Sequence, residues 1–424
     1  MWKALKAVLA VAALAAGLAG FDTAALATVN SAVIIPTQNL GAYDELTDIS
    51  CPSATFCVAV GHSFDGSDMK TLIETWDGTD WAIAASPNQS GGSNYLHGVS
   101  CVDESFCVAV GNWAGNPNSA LALAWDGSTW TPMTTANMSG PTTYGTVREN
   151  ILNDVTCLSR TFCAAVGNWT ASSYTNTLFE SWNGTAWSIT SWTDPLHHLA
   201  ELRSITCFTT TTCMAVGQRF ESETGDWYQS FSSTWNGSAL TIIPAPSVPG
   251  FSNDMKGMSC VSPDFCVAVG TVSANYLSPE DQTFIWNGSA WASLPDIDHG
   301  GNVSLLNDVT CPTVSFCLAV GSIEGSQHDE NLVEVWDGSV WSVLTTPQPN
   351  GGNGLSGVAC TSEWSCLAVG WTDSGQQRTS LGLEFAGPIP PSTTTTSTTL
   401  PSTTSTSTTT TTFESDTVTP QFAG

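Results

Sequence analysis

The sequence predicts an all-β fold, a single seven-bladed β-propeller built from four-stranded antiparallel blades. Three observations lead to this prediction. A unit of about 50 residues recurs seven times, each copy carries a pair of cysteines, and six copies contain a Trp-Asp-Gly or Trp-Asn-Gly turn. No segment shows a sustained 3.6-residue hydrophobic period, so helices are not expected. A repeat of this length that holds four strands is typical of propeller blades.

The repeat is clearest around the cysteines. The first, third and sixth copies read LTDISCPSATFCVAVG, LNDVTCLSRTFCAAVG and LNDVTCPTVSFCLAVG, and the other four follow the same pattern. The first cysteines of the seven copies lie 49 to 56 residues apart, at Cys51, Cys101, Cys157, Cys207, Cys260, Cys311 and Cys360. So regular a spacing predicts one structural unit per copy.

Each copy divides into four short strands. In the first copy these are 46–51, 56–61, 71–76 and 80–85, rich in Val, Ile, Phe and Trp and bounded by turn-forming residues. The Asp-Gly or Asn-Gly turn supplies the positive φ that a tight hairpin needs between the third and fourth strands. A row of independent sandwiches is the alternative. It is disfavoured because a four-stranded sheet of this length buries too little apolar surface to fold alone.

The two ends of the repeat predict how the ring closes. The seventh copy ends at 385–387 and lacks a fourth strand, whereas Ala-Val-Ile-Ile-Pro at 32–36 resembles the fourth strand of copy four at 240–244. We therefore expect the N-terminal strand to complete the seventh blade, which also removes an exposed sheet edge.

The 14 cysteines form seven pairs with five residues between partners. The predicted disulfides are Cys51–Cys57, Cys101–Cys107, Cys157–Cys163, Cys207–Cys213, Cys260–Cys266, Cys311–Cys317 and Cys360–Cys366. Partners flank the first hairpin of each copy and can face each other across antiparallel strands. Zinc binding is the alternative, but zinc takes four ligands and no second Cys or His pair recurs nearby. We expect each disulfide to contribute about 2 kcal/mol.

The chain ends differ in composition from the repeats. Residues 1–27 resemble an export signal, with Lys3 and Lys6, an apolar run at 7–20 and a small-x-small site at 25–27. The apolar run is shorter than the roughly 20 residues that a membrane span needs. Residues 389–424 form a Thr/Ser/Pro-rich tail that is expected to stay disordered. These boundaries leave 28–388 for the propeller and predict a secreted or cell-surface protein without a transmembrane helix in its mature form.

The charge balance excludes some classes of partner. The chain has only 9 Lys and Arg residues but 37 Asp and Glu residues, which gives a formal net charge of −28. Nucleic acids and anionic lipids need clustered basic residues, so neither is an expected ligand. A glycan or an extracellular protein is the expected partner, and the protein is expected to be monomeric.

The Ala-Val-Gly strand and the Trp-turn-Trp hairpin resemble the repeats of kelch and Asp-box (BNR-like) propellers over most of 32–387. The chain is also similar to uncharacterised secreted actinobacterial repeat proteins. It departs from the Asp-box pattern because Trp-[Asp/Asn]-Gly-[Ser/Thr]-x-Trp replaces Ser-x-Asp-x-Gly-x-Thr-Trp, and the paired cysteines belong to neither family. The resemblance implies the propeller fold. It implies no single function, since these families include enzymes, lectins and scaffolds.

Candidate binding residues lie where the copies differ. The loops after the second and fourth strands vary among copies and emerge on one face, and variable loops on a rigid scaffold often carry binding residues. The candidates just past the second strands are His62, Trp113, Trp169, Arg219 and Trp371. The Trp side chains suit stacking on sugars or other planar ligands, but packing of these residues is an equal alternative.

Nearer the axis, the starts of the innermost strands present His97 and Arg203, together with Lys256, Asp48, Asp154 and Asp308. This ring is interpreted as solvated channel lining, with cation or polar-ligand binding as the alternative. No catalytic residue, metal site or cofactor is assigned.

The function predicted from these residues is recognition of a carbohydrate or protein ligand on the variable-loop face. The resemblance offers a sialidase-like glycoside hydrolase as an alternative, which would need three arginines on the substrate carboxylate, a Tyr–Glu nucleophile pair and an Asp acid. Outside the export signal the chain has five arginines, Arg148, Arg160, Arg203, Arg219 and Arg378. Arg160 is predicted on the opposite face, so catalysis is the less favoured interpretation. A purely structural envelope or matrix protein is the remaining alternative.

Overall fold

The structure is a computed structural model. It describes residues 31–142, 145–172, 174–190, 199–221, 227–273, 279–295, 297–325, 327–363 and 365–387. The predicted export signal at 1–27 and the predicted tail at 389–424 lie outside the described residues. Within these ranges the chain is all-β, without helices, and no helix long and apolar enough to span a membrane is present. The prediction of a seven-bladed propeller is confirmed.

The strands of the first four blades follow the chain from the centre outward. Blade 1 contains β2 (Asp44–Ser53), β3 (Phe56–Phe64), β4 (Met69–Trp76) and β5 (Trp81–Ile83). Blade 2 contains β6 (Ser93–Asp103), β7 (Phe106–Ala114), β8 (Ser119–Trp125) and β9 (Trp130–Met133). Blade 3 contains β11 (Gly145–Ser159), β12 (Phe162–Ala171), β13 (Tyr174–Trp182) and β14 (Trp187–Ile189), and a short fifth strand, β10 (Pro141–Thr142), pairs with β11. Blade 4 contains β15 (Ala200–Thr209), β16 (Thr212–Glu221), β17 (Trp227–Trp235) and β18 (Leu240–Pro244).

The remaining blades have the same order. Blade 5 contains β19 (Ser252–Ser262), β20 (Phe265–Ser273), β21 (Pro279–Trp286) and β22 (Trp291–Ser293). Blade 6 contains β23 (Ser304–Thr313), β24 (Phe316–Glu324), β25 (Asp329–Trp336) and β26 (Trp341–Val343). Blade 7 contains β27 (Gly352–Ser362), β28 (Ser365–Asp373), β29 (Arg378–Ala386) and, as its outermost strand, β1 (Ser31–Ile35).

The N-terminal strand closes the ring as predicted. β1 pairs antiparallel with β29, in a register that runs from Ser31 opposite Ala386 to Ile35 opposite Gly382. The innermost strands contact one another in cyclic order, from β2 through β6, β11, β15, β19, β23 and β27 back to β2. Apolar side chains of adjacent blades form the core clusters between the sheets, so each blade is buried on both faces by its neighbours.

The turn between the third and fourth strands also forms as predicted. In blade 1, Gly78 adopts φ +97° and the Asp77 carboxylate accepts hydrogen bonds from the backbone of Thr79 and Asp80, both within 2.9 Å. Trp76 and Trp81 flank the turn with their ring centroids 5.5 Å apart, and both are buried. Four other blades repeat this Trp pair at 5.7–5.8 Å. These tryptophans are packing residues.

All seven predicted disulfides form, with Cα atoms 3.9–4.1 Å apart. Each joins the two inner strands of its blade next to their connecting turn. No cysteine is left free. Seven disulfides fit an extracellular protein, because oxidising compartments preserve them.

The junctions between blades depend on one position of the innermost strand. It is Asp48, Asp154 or Asp308 in blades 1, 3 and 6, which we call the carboxylate blades. Each of these carboxylates accepts a backbone N–H from the following blade at 2.7–2.9 Å. These three axial aspartates therefore join each carboxylate blade to the blade that follows it.

Blades 2, 4, 5 and 7 carry Gly98, Ser204, Gly257 or Gly357 at that position, and we call them the small-residue blades. A Cβ added to any of the three glycines would lie 2.6–2.8 Å from the Cα of the aspartate in the next blade. Glycine at these positions allows neighbouring backbones to approach closely.

Candidate functional site

The predicted binding residues lie on the variable-loop face, where the second strand of each blade ends and the first begins. The second strands run further than the sequence suggested. β3, for example, extends to Phe64, so His62 is a strand residue that pairs with Glu45 on β2 and Thr71 on β4. The candidates therefore lie in paired strands, and their side chains are held by the sheet.

An aromatic cluster links blades 1 and 2 on this face. The His62 ring stacks on Tyr43 at 6.0 Å and meets the edge of Tyr95 at 5.2 Å, and Tyr95 stacks on His97 at 6.3 Å. The Nε2 atom of His97 lies 2.8 Å from the Asn112 Oδ1 atom. Burial lowers the pKa of both histidines, so both rings are neutral near pH 7.

Arg378 extends this cluster to blade 7. Its guanidinium carbon lies 4.9 Å from the Tyr43 ring centroid and 4.0 Å from that of Trp371, within cation–π range. Its Nη1 atom donates to the Glu45 carboxylate at 2.9 Å, and its Nε atom lies 3.7 Å from Asp373. The guanidinium is therefore fixed by two rings and two carboxylates.

A cleft of about 610 Å³ opens beside Arg378 between blades 6 and 7. Its lining side chains and backbone come from His328, Asp329, Asn350, Gly351, Gly352, Trp371, Asp373, Ser374, Gly375 and Arg378. We call it the blade 6–7 cleft. Its lining combines one indole ring, hydrogen-bonding side chains of positive and negative charge, and glycines that leave the backbone accessible. These are features of a site for a polar ligand.

The structure brings some predicted residues together and separates others. His62 and His97 belong to the aromatic cluster, and Trp371 joins it through Arg378 and Tyr43. Trp169 is only 4% exposed and packs in the core between blades 2 and 3. Its burial leaves the indole no accessible face for a ligand.

Three other predicted residues lie away from the cleft. Trp113 packs over the Gly115 backbone in blade 2, where an added Cβ would lie 2.6 Å from its ring. Arg219 is half-buried on β16 of blade 4, paired in register with Ala200. Arg203 forms ion pairs with Glu201 at 3.3 Å and Asp254 at 3.0 Å.

Sequence reasoning missed Tyr43, Tyr95, Arg378 and Asp329. Tyr95 directly precedes the Leu that begins its copy, and Arg378 is one of few cations in an acidic chain. Those signals mark unusual residues, but the cleft forms between two blades and no single copy contains it.

A group of ionisable side chains is buried in the carboxylate blades. Glu74 and Glu180 lie two residues before the turn tryptophans of blades 1 and 3, and both are fully buried. Glu74 accepts the Gln38 N–H at 3.1 Å, and Glu180 accepts the Ala136 N–H at 3.0 Å. Burial raises the pKa of each glutamate to about 7.

In blade 6 the matching glutamate has different partners. The Nε2 atom of His299 lies 3.1 Å from the Glu334 Oε1 atom and 3.1 Å from the Asp281 Oδ1 atom. The hydrogen bond to Glu334 raises the pKa of His299 against the opposing effect of burial. These three residues could hold a metal ion, although no metal site was assigned from the sequence. They are 18 and 35 residues apart along the chain, so no ligand-spacing motif marks them.

No protein-family model matches the chain, and no curated protein is similar to it. Solved structures are similar in fold. An ulvan lyase from a new polysaccharide lyase family is 9% identical with a TM-score of 0.52, over 82% of this chain and 96% of that one. YCF48 bound to D1 peptide is 14% identical with a TM-score of 0.49, over 84% and 96%. The SapL1 lectin in complex with alpha methyl fucoside is 12% identical with a TM-score of 0.44, over 75% and 97%. At such low identity, the likeness to the lyase shows that the chain shares the β-propeller fold.

Proposed function

We propose that this protein is an exported recognition module that binds a carbohydrate in the blade 6–7 cleft. The observation that carries the proposal is an open cleft of about 610 Å³ in which Trp371 lies among charged, amide and hydroxyl side chains. Cleavage of 1–27, a disordered tail at 389–424, a monomeric state and a kelch- or Asp-box-like repeat type are further parts of this proposal.

The lining chemistry suits hydroxyl groups. Asp329 and Asp373 offer carboxylate acceptors, while Asn350 and Arg378 offer N–H donors, so a sugar hydroxyl finds both kinds of partner. The part of the half-buried Trp371 ring that Arg378 and Gly354 do not cover supplies apolar surface against the C–H groups of a sugar ring. The charges of both signs favour a neutral saccharide over a strongly charged one.

The cleft wall is held in place before a ligand arrives. Arg378 is bound to Glu45 at 2.9 Å and lies over the Trp371 ring, and Trp371 packs against Gly354. A fixed wall loses little side-chain entropy when a ligand binds, so more of the contact energy appears as affinity.

The sialidase-like alternative needs three arginines around one substrate carboxylate. Arg160 lies at the β11–β12 turn, on the opposite face, where it pairs with Asp103 at 3.1 Å. Arg203 pairs with Asp254 in blades 4 and 5, whereas Arg378 pairs with Glu45 across blades 7 and 1. These positions favour binding over that type of catalysis.

A glycan array on the disulfide-intact protein tests the proposal. We expect a specific glycan signal, and we expect Trp371→Ala to weaken solution binding of that glycan at least tenfold, or about 1.4 kcal/mol. Trp113→Ala is the matched control, because Trp113 lies on the same face outside the cleft and its loss should leave affinity unchanged. A silent array, or equal losses in the two variants, would refute carbohydrate binding in the cleft. Turnover of a sialyl or aryl glycoside would instead support the enzyme alternative.

A further inference from the structure

The buried triad at the junction of blades 5 and 6 differs from its counterparts elsewhere in the ring. Asp281 lies on β21 of blade 5, Glu334 lies on β25 of blade 6, and His299 lies in the segment that connects the two blades. The side chains of Asp281 and Glu334 are 3% and 1% exposed and that of His299 is 7% exposed. Three potential metal ligands from three segments therefore converge in the interior.

The other carboxylate blades show what a purely structural junction requires. Glu74 accepts the Gln38 N–H and the Ser380 hydroxyl, and Glu180 accepts the Ala136 N–H. Ser380 of blade 7 and Ala120 of blade 2 each lie five residues before the aromatic residue near the end of the third strand. Asp281 occupies the same position in blade 5. At those two junctions the glutamate thus meets neutral groups.

The blade 5–6 junction carries more ionisable groups. A second carboxyl group, that of Asp281, stands where the other junctions have Ser or Ala, and the His299 imidazole contacts both Asp281 and Glu334. The single Nε2 atom of His299 lies 3.1 Å from an oxygen of each carboxylate, yet it can carry only one proton. If both carboxyl groups are ionised, one imidazolium still leaves a net negative charge in the interior, which is costly.

A divalent cation satisfies this arrangement. Ligand atoms about 2.1 Å from one ion lie about 3.0–3.4 Å apart at octahedral or tetrahedral angles, and the two distances from His299 Nε2 to the carboxylate oxygens, 3.1 Å each, fall in this range. All three ligand atoms lie within 4.8 Å of one another. The Ser304 hydroxyl donates to Asp281 Oδ1 and accepts the Asp281 N–H at 3.1 Å, so it orients this ligand as outer-sphere groups do in metal sites.

We propose that Asp281, His299 and Glu334 bind a divalent transition-metal ion that fastens blade 5 to blade 6. One imidazole with two carboxylates suits Zn²⁺ or Mn²⁺, whereas Ca²⁺ prefers six to eight oxygen ligands and does not favour nitrogen. The ion replaces the imidazolium proton, and the charges of the two carboxylates and the cation then cancel.

Metal content and thermal stability of the full exported protein test this proposal. The protein is stripped with EDTA, dialysed against ZnCl₂, MnCl₂ or CaCl₂ separately, washed, and analysed by mass spectrometry for metals. We expect about one Zn²⁺ or Mn²⁺ per chain, and a thermal midpoint at least about 2 °C above that of the stripped protein. Calcium should give neither result.

Variants locate the ion. His299→Ala and Glu334→Gln should each lose the bound ion and the metal-dependent shift, while Glu180→Gln, the matched glutamate of blade 3, should keep both. Retention of the ion in the triad variants, or no stoichiometric Zn²⁺ or Mn²⁺ in the wild-type protein, would overturn the proposal. The wild-type measurement decides the matter even if a triad variant fails to fold. Glycan binding is independent of this result, because none of the three residues lines the blade 6–7 cleft.

Discussion

At the scale of single residues, buried carboxyl groups dominate the electrostatics of the core. Glu180 is completely buried and accepts one backbone N–H, from Ala136. Burial raises its pKa to about 7, against an ordinary value of about 4.3. The exposed turn residue Asp126 shows the opposite effect, because three hydrogen bonds within 2.9 Å lower its pKa to about 2.

The raised pKa of Glu180 predicts a pH-dependent stability. Between about pH 4.3 and pH 7 the folded protein binds a proton at Glu180 that the unfolded chain does not, so the free energy of unfolding falls as the pH rises through this window. Glu180→Gln should reduce that fall by up to about 3 kcal/mol, measured by denaturant unfolding at pH 5 and pH 8.

Asp126→Asn is the control for this measurement. Its carboxyl titrates near pH 2 in the folded protein, so its contribution is lost only in acid and its replacement should not alter the change between pH 5 and pH 8. If Glu180→Gln and the wild-type protein show the same change in stability over that interval, Glu180 is not protonated in the folded state at neutral pH.

The positions of the turn tryptophans were predictable from the sequence, since their recurrence beside a tight turn is a local pattern. Sequence reasoning did not predict the buried glutamates. Glu74, Glu180 and Glu334 each follow two buried apolar residues of a strand, and their partners come from a preceding blade or linker. A partner that is supplied by tertiary structure leaves no periodic signal in the sequence.

At the scale of elements, the close approach of neighbouring innermost strands depends on glycine. Gly257 on β19 faces β23, where a Cβ would lie 2.6 Å from the Asp308 Cα atom. Backbone atoms cannot rotate away as a side chain can, so the strands themselves must separate. The strand positions were predictable from the pattern of apolar and turn-forming residues. The close contact between Gly257 and Asp308 was not, because it joins two different copies of the repeat.

Gly257→Ala should therefore destabilise the protein, by about 1–3 kcal/mol, as overpacking does in other cores. Gly352→Ala is the control in the same kind of strand, because its Cβ would meet only the Trp371 ring at 3.7 Å, an ordinary contact. Denaturant unfolding of both variants measures the difference. Equal stabilities would show that the blades can move apart without cost at this junction.

At the scale of the whole molecule, the ring closes through hydrogen bonds between the two ends of the propeller. The match between 32–36 and 240–244 predicted this closure, since it compares two fourth strands. The blade 6–7 cleft could not be predicted in the same way. It gathers residues from blades 6 and 7, and its wall depends on Glu45 and Tyr43 of the first copy.

Deletion of residues 28–37 should expose the edge of β29 and remove Ile35, which is 8% exposed, from the core. We expect a lower thermal midpoint and concentration-dependent association in light scattering, because unpaired strand edges promote aggregation. Val33→Ser should behave like the wild-type protein, since Val33 is 56% exposed and the strand pairing is retained. A truncated protein that stays monomeric with an unchanged midpoint would show that β1 is dispensable for closure.

The number of blades has a consequence for the alternation of carboxylate and small-residue blades. Two kinds of blade can alternate without interruption only in a ring with an even number of blades, and this ring has seven. Blades 4 and 5 are consequently two small-residue neighbours, and the aspartate-to-amide bond of the other kind of junction cannot form between them. The Arg203–Asp254 ion pair, at 3.0 Å, spans that interface instead. The mismatch that an odd number of blades imposes is therefore confined to this one seam, which a salt-sensitive ion pair holds instead of an aspartate-to-amide hydrogen bond.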